Sequence, residues 1–151
     1  DAWETINDRD PADGRLLFTF DCGGWQTEGW KAVSGDLGNI AGRQGFLDFY
    51  LPNGKGAIVR EGLKLNASKN QGELVITLRT SSPTTVSLAA TGKTKGNTSL
   101  GVKKSVSSDD FTKLMFPLSD QPAWNGVIRT IQLRFDANPR TLIEIDSITL
   151  K

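Results

Sequence analysis

The chain has 151 residues, 23% of them charged, and a formal net charge of +1, so it fits one domain and excludes a nucleic-acid binder that acts through bulk positive charge. It contains no histidine, which excludes Ser-His-Asp and Cys-His catalysis and histidine-ligated zinc. Its apolar runs are far shorter than the roughly 20 residues needed to span a bilayer, so no membrane segment is expected.

Short runs of alternating apolar and polar residues follow one another along the chain and are separated by turn-forming segments. The runs cover residues 16–20, 45–51, 73–80, 85–90, 100–106, 113–118, 130–135 and 142–150. Many short strands of this kind predict an all-β, two-sheet antiparallel jelly-roll sandwich, with about four or five strands in each sheet. We expect the sandwich to occupy residues 16–151, after an N-terminal arm or linker at 1–15.

The same alternation predicts which side chains face the core. These are Phe18, Phe20, Leu47, Phe49, Leu74, Ile76, Leu78, Val86, Leu88, Phe116, Ile131, Leu133, Phe135, Ile143 and Ile145. In the run 100–106, the alternation predicts that Val102 and Val106 point inward.

Two irregularities refine this pattern. Pro117 falls inside a run and cannot donate a backbone hydrogen bond, which predicts an edge strand or a bulge there. In the last run, the pair Ile143 and Ile145 is out of phase with the pair Ile148 and Leu150. One extra residue must therefore be absorbed near Asp146, as a β-bulge would do.

Aromatic side chains are the first candidates for a ligand site, because sugars stack their C–H faces on aromatic rings. Trp124 and Trp25 are expected to pack in the structure, whereas Trp30 could line a loop site. Phe46 and Tyr50 share the face of their run that points away from the core. They could form a sugar platform, or they could be covered by the segment 31–44 or by the N-terminal arm.

Polar side chains give a second candidate surface. Arg79, Gln132 and Arg134 fall on the non-core face of two central-looking runs, and together they could line a groove for hydroxyl, carboxylate or sulfate groups. The alternative is that each arginine pairs with a neighbouring carboxylate, such as Glu73 or Glu144. Catalysis is not expected, because Glu144 and Asp146 are the only near-match to a glycosidase carboxylate pair.

Several of these segments together resemble a known group of proteins. FTFD at 18–21, GGWQTEGW at 23–30, ELVITLRTS at 73–81 and the block from 109 to 150 are similar to galactose-binding-like jelly-roll modules. Such modules are attached to bacterial secreted glycoside hydrolases and polysaccharide lyases. The resemblance implies a non-catalytic carbohydrate-binding module that targets an appended catalytic domain to polysaccharide, outside the cell.

The resemblance also implies a structural calcium ion. Related modules hold it with an acidic residue that ends the first strand and an aspartate in the final strand, and the matching positions are Asp21 and Asp146. Alternatively, Asp21 only begins the turn that follows it.

The expected ligand-binding residues are therefore Trp30, Phe46, Tyr50, Arg79, Gln132 and Arg134. We expect a monomer that binds polysaccharide, with an anionic polysaccharide favoured over a neutral one, and that binds neither nucleic acid nor membrane. The alternative function is a structural sandwich that packs against a neighbouring domain and binds no sugar.

Overall fold

A computed structural model describes residues 16–18, 20, 27–33, 37–43, 45–67, 72–92 and 98–150. The predicted N-terminal arm, 1–15, lies outside these residues. Twelve strands follow one another: β1 (Leu16–Phe18), β2 (Trp30–Ala32), β3 (Gly38–Arg43), β4 (Phe46–Leu51), β5 (Lys55–Arg60), β6 (Leu65–Asn66), β7 (Glu73–Thr80), β8 (Thr84–Gly92), β9 (Thr98–Ser105), β10 (Thr112–Pro117), β11 (Val127–Asp136) and β12 (Thr141–Leu150). No helix occurs in the described ranges, and accordingly none that could cross a membrane.

The strands form two antiparallel sheets packed face to face. Sheet 1 has the order β10-β7-β12-β4-β3, and β1 pairs with β12. Sheet 2 has the order β2-β5-β11-β8-β9, and β6 pairs with β11. This arrangement confirms the predicted jelly-roll sandwich, and short strands bring each sheet to six.

The core fills the space between the two sheets. All fifteen residues of the predicted core list, from Phe18 to Ile145, are buried there. Phe49 of sheet 1 meets Phe135 of sheet 2 edge to face, with ring centroids 5.2 Å apart. Burying each such ring contributes roughly 1.5–3 kcal/mol, so the alternating runs provide most of the apolar contact between the sheets.

Both predicted irregularities of the strands are confirmed. The pairing of β12 with β7 shifts register between Ile145 and Ser147. The extra residue at Asp146 lets Ile145 and Ile148 both face the core, where both are buried. Pro117 ends β10, which is an edge strand of sheet 1.

The expectation for Val102 and Val106 is wrong, because both side chains are exposed. A second register shift, between Leu88 and Ala89 of β8, makes Leu100 an extra residue in β9. The strand bends there at Gly101, whose φ of 142° is one that side-chain-bearing residues rarely adopt. Beyond this bulge the positions that face inward are offset by one residue, so that Ser105 is buried and Val102 points to solvent.

Trp30, which could have lined a loop site, lies in the core instead. Its side chain is 1% exposed and packs edge to face on Phe18, with ring centroids 5.5 Å apart. Trp30 is paired across the sheet with Arg60, which is buried too and donates to the backbone carbonyl of Glu28 at 3.1 Å. The indole belongs to the core, so it offers no face on which a sugar could stack.

Candidate binding faces

The face of sheet 2 that points away from the core, here called the outer face of sheet 2, carries three rows of side chains. Ile131, Leu133 and Phe135 of β11 point into the core, so Gln132, Arg134 and Asp136 point outward. Cross-strand pairing extends these positions into rows, which are Lys31–Val59–Gln132–Ala89, Ala57–Arg134–Ser87–Val102 and Lys55–Asp136–Thr85–Lys104.

Small and apolar residues form the floor of this face. Ala57 and Val59 are 4% and 7% exposed, yet neither belongs to the core cluster. Their side chains point to the outer face, yet little of either is accessible to solvent. Gln132 lies beside Val59 and is only 7% exposed, and Ala89 continues the row on the other side of it. Lys31, Lys55 and Lys104 lie at the ends of the rows and border this band of short side chains, and we call the band the groove.

One end of the groove deepens into a depression of about 350 Å³. It is lined by side chains from four strands and the residues that follow them, which are Lys31, Ala32, Val33, Val59, Glu61, Thr91, Thr130 and Gln132. Lys31 and Glu61 form an ion pair of 2.8 Å at its rim, and both side chains are exposed. The depression is therefore lined by hydroxyl- and amide-bearing side chains beside two valines, at the end of the face where Lys31 and Glu61 are paired.

The other end of the groove carries unpaired charge. Arg134 is exposed, and no hydrogen bond or ion pair joins its side chain to another described residue. Lys55, Lys104 and Asp136 lie in the adjacent row and are exposed as well. Positive charge is in excess at this end, which suits an acidic or hydroxyl-rich ligand.

The outer face of sheet 1 has a different character. Arg79 of β7 donates from Nε and Nη2 to the two carboxylate oxygens of Glu144 in β12, at 2.8 and 3.1 Å. Its Nη1 donates to the carbonyl of Asp109 at 3.1 Å. The guanidinium carbon lies 4.6 Å from the ring centroid of Phe111 and 5.7 Å from that of Phe46. We call these residues the Arg79 cluster.

The Arg79 cluster is internally satisfied. The pKa of Arg79 is raised above its ordinary value, mainly by the hydrogen bonds to Glu144, and desolvation opposes this effect. The guanidinium lies over Phe111 and Phe46, whose ring centroids are 5.0 Å apart, so one face of each ring is already in contact with Arg79. The cross-strand pairing of Arg79 with Glu144, considered from sequence as the alternative, is the one observed.

The expected grouping of Arg79, Gln132 and Arg134 in one groove is therefore wrong. Arg79 lies on the outer face of sheet 1, whereas Gln132 and Arg134 lie on the outer face of sheet 2. The core separates the two faces, so a ligand that lies on either face cannot contact both arginines.

Tyr50 remains an exposed aromatic on sheet 1. It is 45% exposed and lies between Leu142 on β12 and Gly38 on β3. Since Gly38 has no side chain, one flank of the ring is open. The outer face of sheet 2 has no aromatic residue in the three rows that the structure describes, so a ligand there would be held mainly by hydrogen bonds and charge.

The expected metal ligands are only partly described. Asp146 is half-buried at the β12 bulge, between the last residue paired with β4 and the first residue paired with β1. Asp21 lies outside the described residues. Within the described ranges, no group of three or more acidic or cysteine side chains could hold an ion, so a full ligand set would need residues beyond them.

The groove floor was not foreseen from the sequence. Ala57 and Val59 belong to β5, which the alternation did not predict as a strand, because β5 is buried on both faces from Gly56 onward. Ser87 and Ala89 do lie in a predicted run, and their small size at alternate positions of the polar face was the available signal of a groove.

No protein-family model and no curated protein matches this chain. Solved structures do: a family 29 carbohydrate-binding module from Piromyces equi, CBM29_1, is 17% identical with a TM-score of 0.61, over 90% of this chain and 89% of that one. A CBM29-2 variant complexed with cellulohexaose is 11% identical with a TM-score of 0.60, over 90% of each chain. A further CBM29-2 variant, complexed with mannohexaose, is 11% identical with a TM-score of 0.60, over 90% of this chain and 89% of that one. At these identities the likeness establishes a shared fold, and this chain is thus built as the β-sandwich of those carbohydrate-binding modules.

Proposed function

We propose that this chain is a non-catalytic carbohydrate-binding module and that its polysaccharide ligand lies along the outer face of sheet 2. The observation that carries the proposal is the groove itself, in which a floor of small residues is bordered by hydrogen-bonding and charged side chains. The shared fold with carbohydrate-binding modules, two of them complexed with hexasaccharides, supports it.

The groove is open and shallow, which favours an extended chain over a small molecule. Few groups are desolvated on such a surface, so we expect dissociation constants in the micromolar-to-millimolar range, or about −8 to −4 kcal/mol. Acidic polysaccharides are favoured over neutral ones, because Lys31 is paired with Glu61 and the remaining charges of the three rows are Lys55, Lys104 and Arg134 against Asp136.

As finer parts of the proposal, the module acts as a monomer outside the cell and tethers an appended glycoside hydrolase or polysaccharide lyase to its substrate. Calcium joins the proposal through the resemblance noted from sequence. Asp21 and Asp146 would hold the ion with hard oxygen ligands, and the ion would pin the first strand to the last.

The test places a large side chain on the groove floor. Ala89→Trp puts an indole beside Gln132, whereas the matched control, Thr77→Trp, puts one on the outer face of sheet 1. Affinity electrophoresis is run on both variants and the unmodified chain, with neutral and acidic polysaccharides in the gel. We expect polysaccharide to retard the unmodified chain and Thr77→Trp, and Ala89→Trp to lose that retardation.

Two other results would contradict this function. Equal retardation of all three proteins would place the site elsewhere. No retardation of the unmodified chain by any polysaccharide would favour the structural module that binds no sugar.

A further inference from the structure

Arg134 occupies an unusual position on the outer face of sheet 2. It lies in the central strand β11, where Ala57 on one side and Ser87 on the other are its cross-strand partners. Both partners have short side chains, whereas the guanidinium of Arg134 is exposed. A guanidinium presents five N–H donors in a planar fork, and here none of them is used by a described residue.

Acidic neighbours do not explain this position. Asp136 is two residues further along the same strand and on the same face, about 7 Å away by strand geometry. It forms no ion pair with Arg134, nor with Lys55, its cross-strand partner, among the described residues. The two lysines of that row, Lys55 and Lys104, add further positive charge on either side.

The comparison with Arg79 shows what a structural arginine looks like in this chain. All three nitrogens of Arg79 donate to described residues, and its plane stacks on Phe111. Arg134 also points away from the core, from β11 of the other sheet, but no described residue accepts a hydrogen bond from it. Its donors therefore remain available for an external oxyanion, for which the planar fork of an arginine is suited.

We infer that Arg134 is an anion subsite that binds a carboxylate or sulfate group of an acidic polysaccharide, between the short side chains of Ala57 and Ser87. This inference rests on the proposed function. It also assigns a direction to the groove: the acidic group lies at the Arg134 end, and an uncharged sugar lies in the depression near Gln132, where Lys31 and Glu61 neutralise one another.

The experiment compares Arg134→Gln, Arg134→Lys and a charge-matched control, Lys113→Gln. Lys113 is an exposed cation on the outer face of sheet 1, so its loss changes the net charge equally without touching the groove. The gel contains one of four probes: polygalacturonate, its carboxyl-reduced form, a sulfated galactan, or its desulfated form. Melting temperatures confirm that each variant folds.

We expect Arg134→Gln to weaken binding to the charged probe roughly tenfold to a hundredfold, as for loss of a hydrogen bond to a charged group. Arg134→Lys keeps the charge but loses the planar fork of N–H donors. Its affinity for the charged probe should therefore lie between those of the unmodified chain and Arg134→Gln. Lys113→Gln should bind as the unmodified chain does. Retardation by polygalacturonate but not by the sulfated galactan identifies a carboxylate, and the converse identifies a sulfate.

Other outcomes would overturn the subsite and separate it from the proposed function. If Arg134→Gln binds the charged probe as tightly as Lys113→Gln does, Arg134 is not the subsite. If the unmodified chain binds only the carboxyl-reduced and desulfated probes, the module binds sugar but this subsite is wrong. If it binds none of the four, both the subsite and the proposed function are contradicted.

Discussion

Arg79 and Arg134 point away from the core on opposite sheets of the sandwich, and of the two only Arg79 forms hydrogen bonds with described residues. The same residue type thus has two roles that can be separated by measurement. Arg79 should contribute to stability, and Arg134 should contribute to binding.

Replacing Arg79 tests the first role. Arg79→Gln removes the two hydrogen bonds to Glu144 and leaves that half-buried carboxylate without its cation. We expect the free energy of unfolding to fall by about 1–2 kcal/mol. Arg134→Gln, the matched exposed substitution, should change it by less than about 0.5 kcal/mol.

Urea unfolding measures both values, and a double-mutant cycle with Glu144→Gln isolates the pair. A coupling energy of about 1 kcal/mol is expected for such contacting residues. A coupling energy near zero would show that the Arg79 cluster is held by ring stacking instead of by its ion pair.

A second prediction concerns the turn between β4 and β5. Gly54 has a φ of 84°, and a Cβ added there would collide with the backbone carbonyl oxygen of Ala137. Ala137 also donates its N–H to the Gly54 carbonyl at 2.7 Å, so the two segments cannot separate without losing this bond. Gly54→Ala should therefore destabilise the chain by about 3 kcal/mol.

Gly126→Ala is the matched control for Gly54→Ala. Gly126 has a similar φ of 67°, but no atom lies within 4 Å of an added Cβ. Only the backbone strain remains, which costs about 1 kcal/mol. Thermal unfolding of both variants should show the larger loss at Gly54, and equal losses would mean that the Ala137 segment moves freely.

The sequence predicted the core well, because alternation reports directly whether a side chain faces inward. It failed for β5 for a physical reason: from Gly56 to Arg60, both faces of this strand are buried. The core covers one face and the outer-face neighbours cover the other, so no polar face remains to mark a period of two. The strand that carries Ala57 and Val59 was thus missed, as were β2, β3 and β6.

Nor could the alternation show whether the two arginines lie on the same face of the sandwich. It showed correctly that Arg79 and Arg134 point away from the core, but parity along a strand does not reveal which sheet the strand joins. Only the strand order, with β7 in sheet 1 and β11 in sheet 2, separates them. For a similar reason the sequence could not predict that the inward-facing positions of β9 change after Leu100, since the place of a bulge depends on the partner strand.

A third prediction tests calcium. If Asp146 helps to hold an ion, calcium at about 100 times its dissociation constant should stabilise the fold by about 2.7 kcal/mol. Calcium should raise the melting temperature of the unmodified chain, and a chelator should lower it again. Asp146→Asn should abolish the response, and Asp120→Asn, which changes an exposed aspartate in a loop, should keep it. A chelator that leaves the melting curve of metal-free protein unmoved, with no response to added calcium, would exclude the ion.

The last prediction decides between the two outer faces. Gln132→Met keeps the length of the side chain in the groove of sheet 2 but removes the amide, and Tyr50→Ala removes the exposed ring on sheet 1. The Gln132 side chain is 7% exposed and already has a partner within the chain, so if its amide also contacts sugar, the substitution should weaken polysaccharide binding by roughly threefold to tenfold. Tyr50→Ala should leave binding unchanged, because the core lies between its ring and the groove. Isothermal titration with a polysaccharide that retards the unmodified chain measures both. The reverse result, in which Tyr50→Ala weakens binding and Gln132→Met does not, would move the site to sheet 1, where the open flank beside Gly38 would receive the sugar ring.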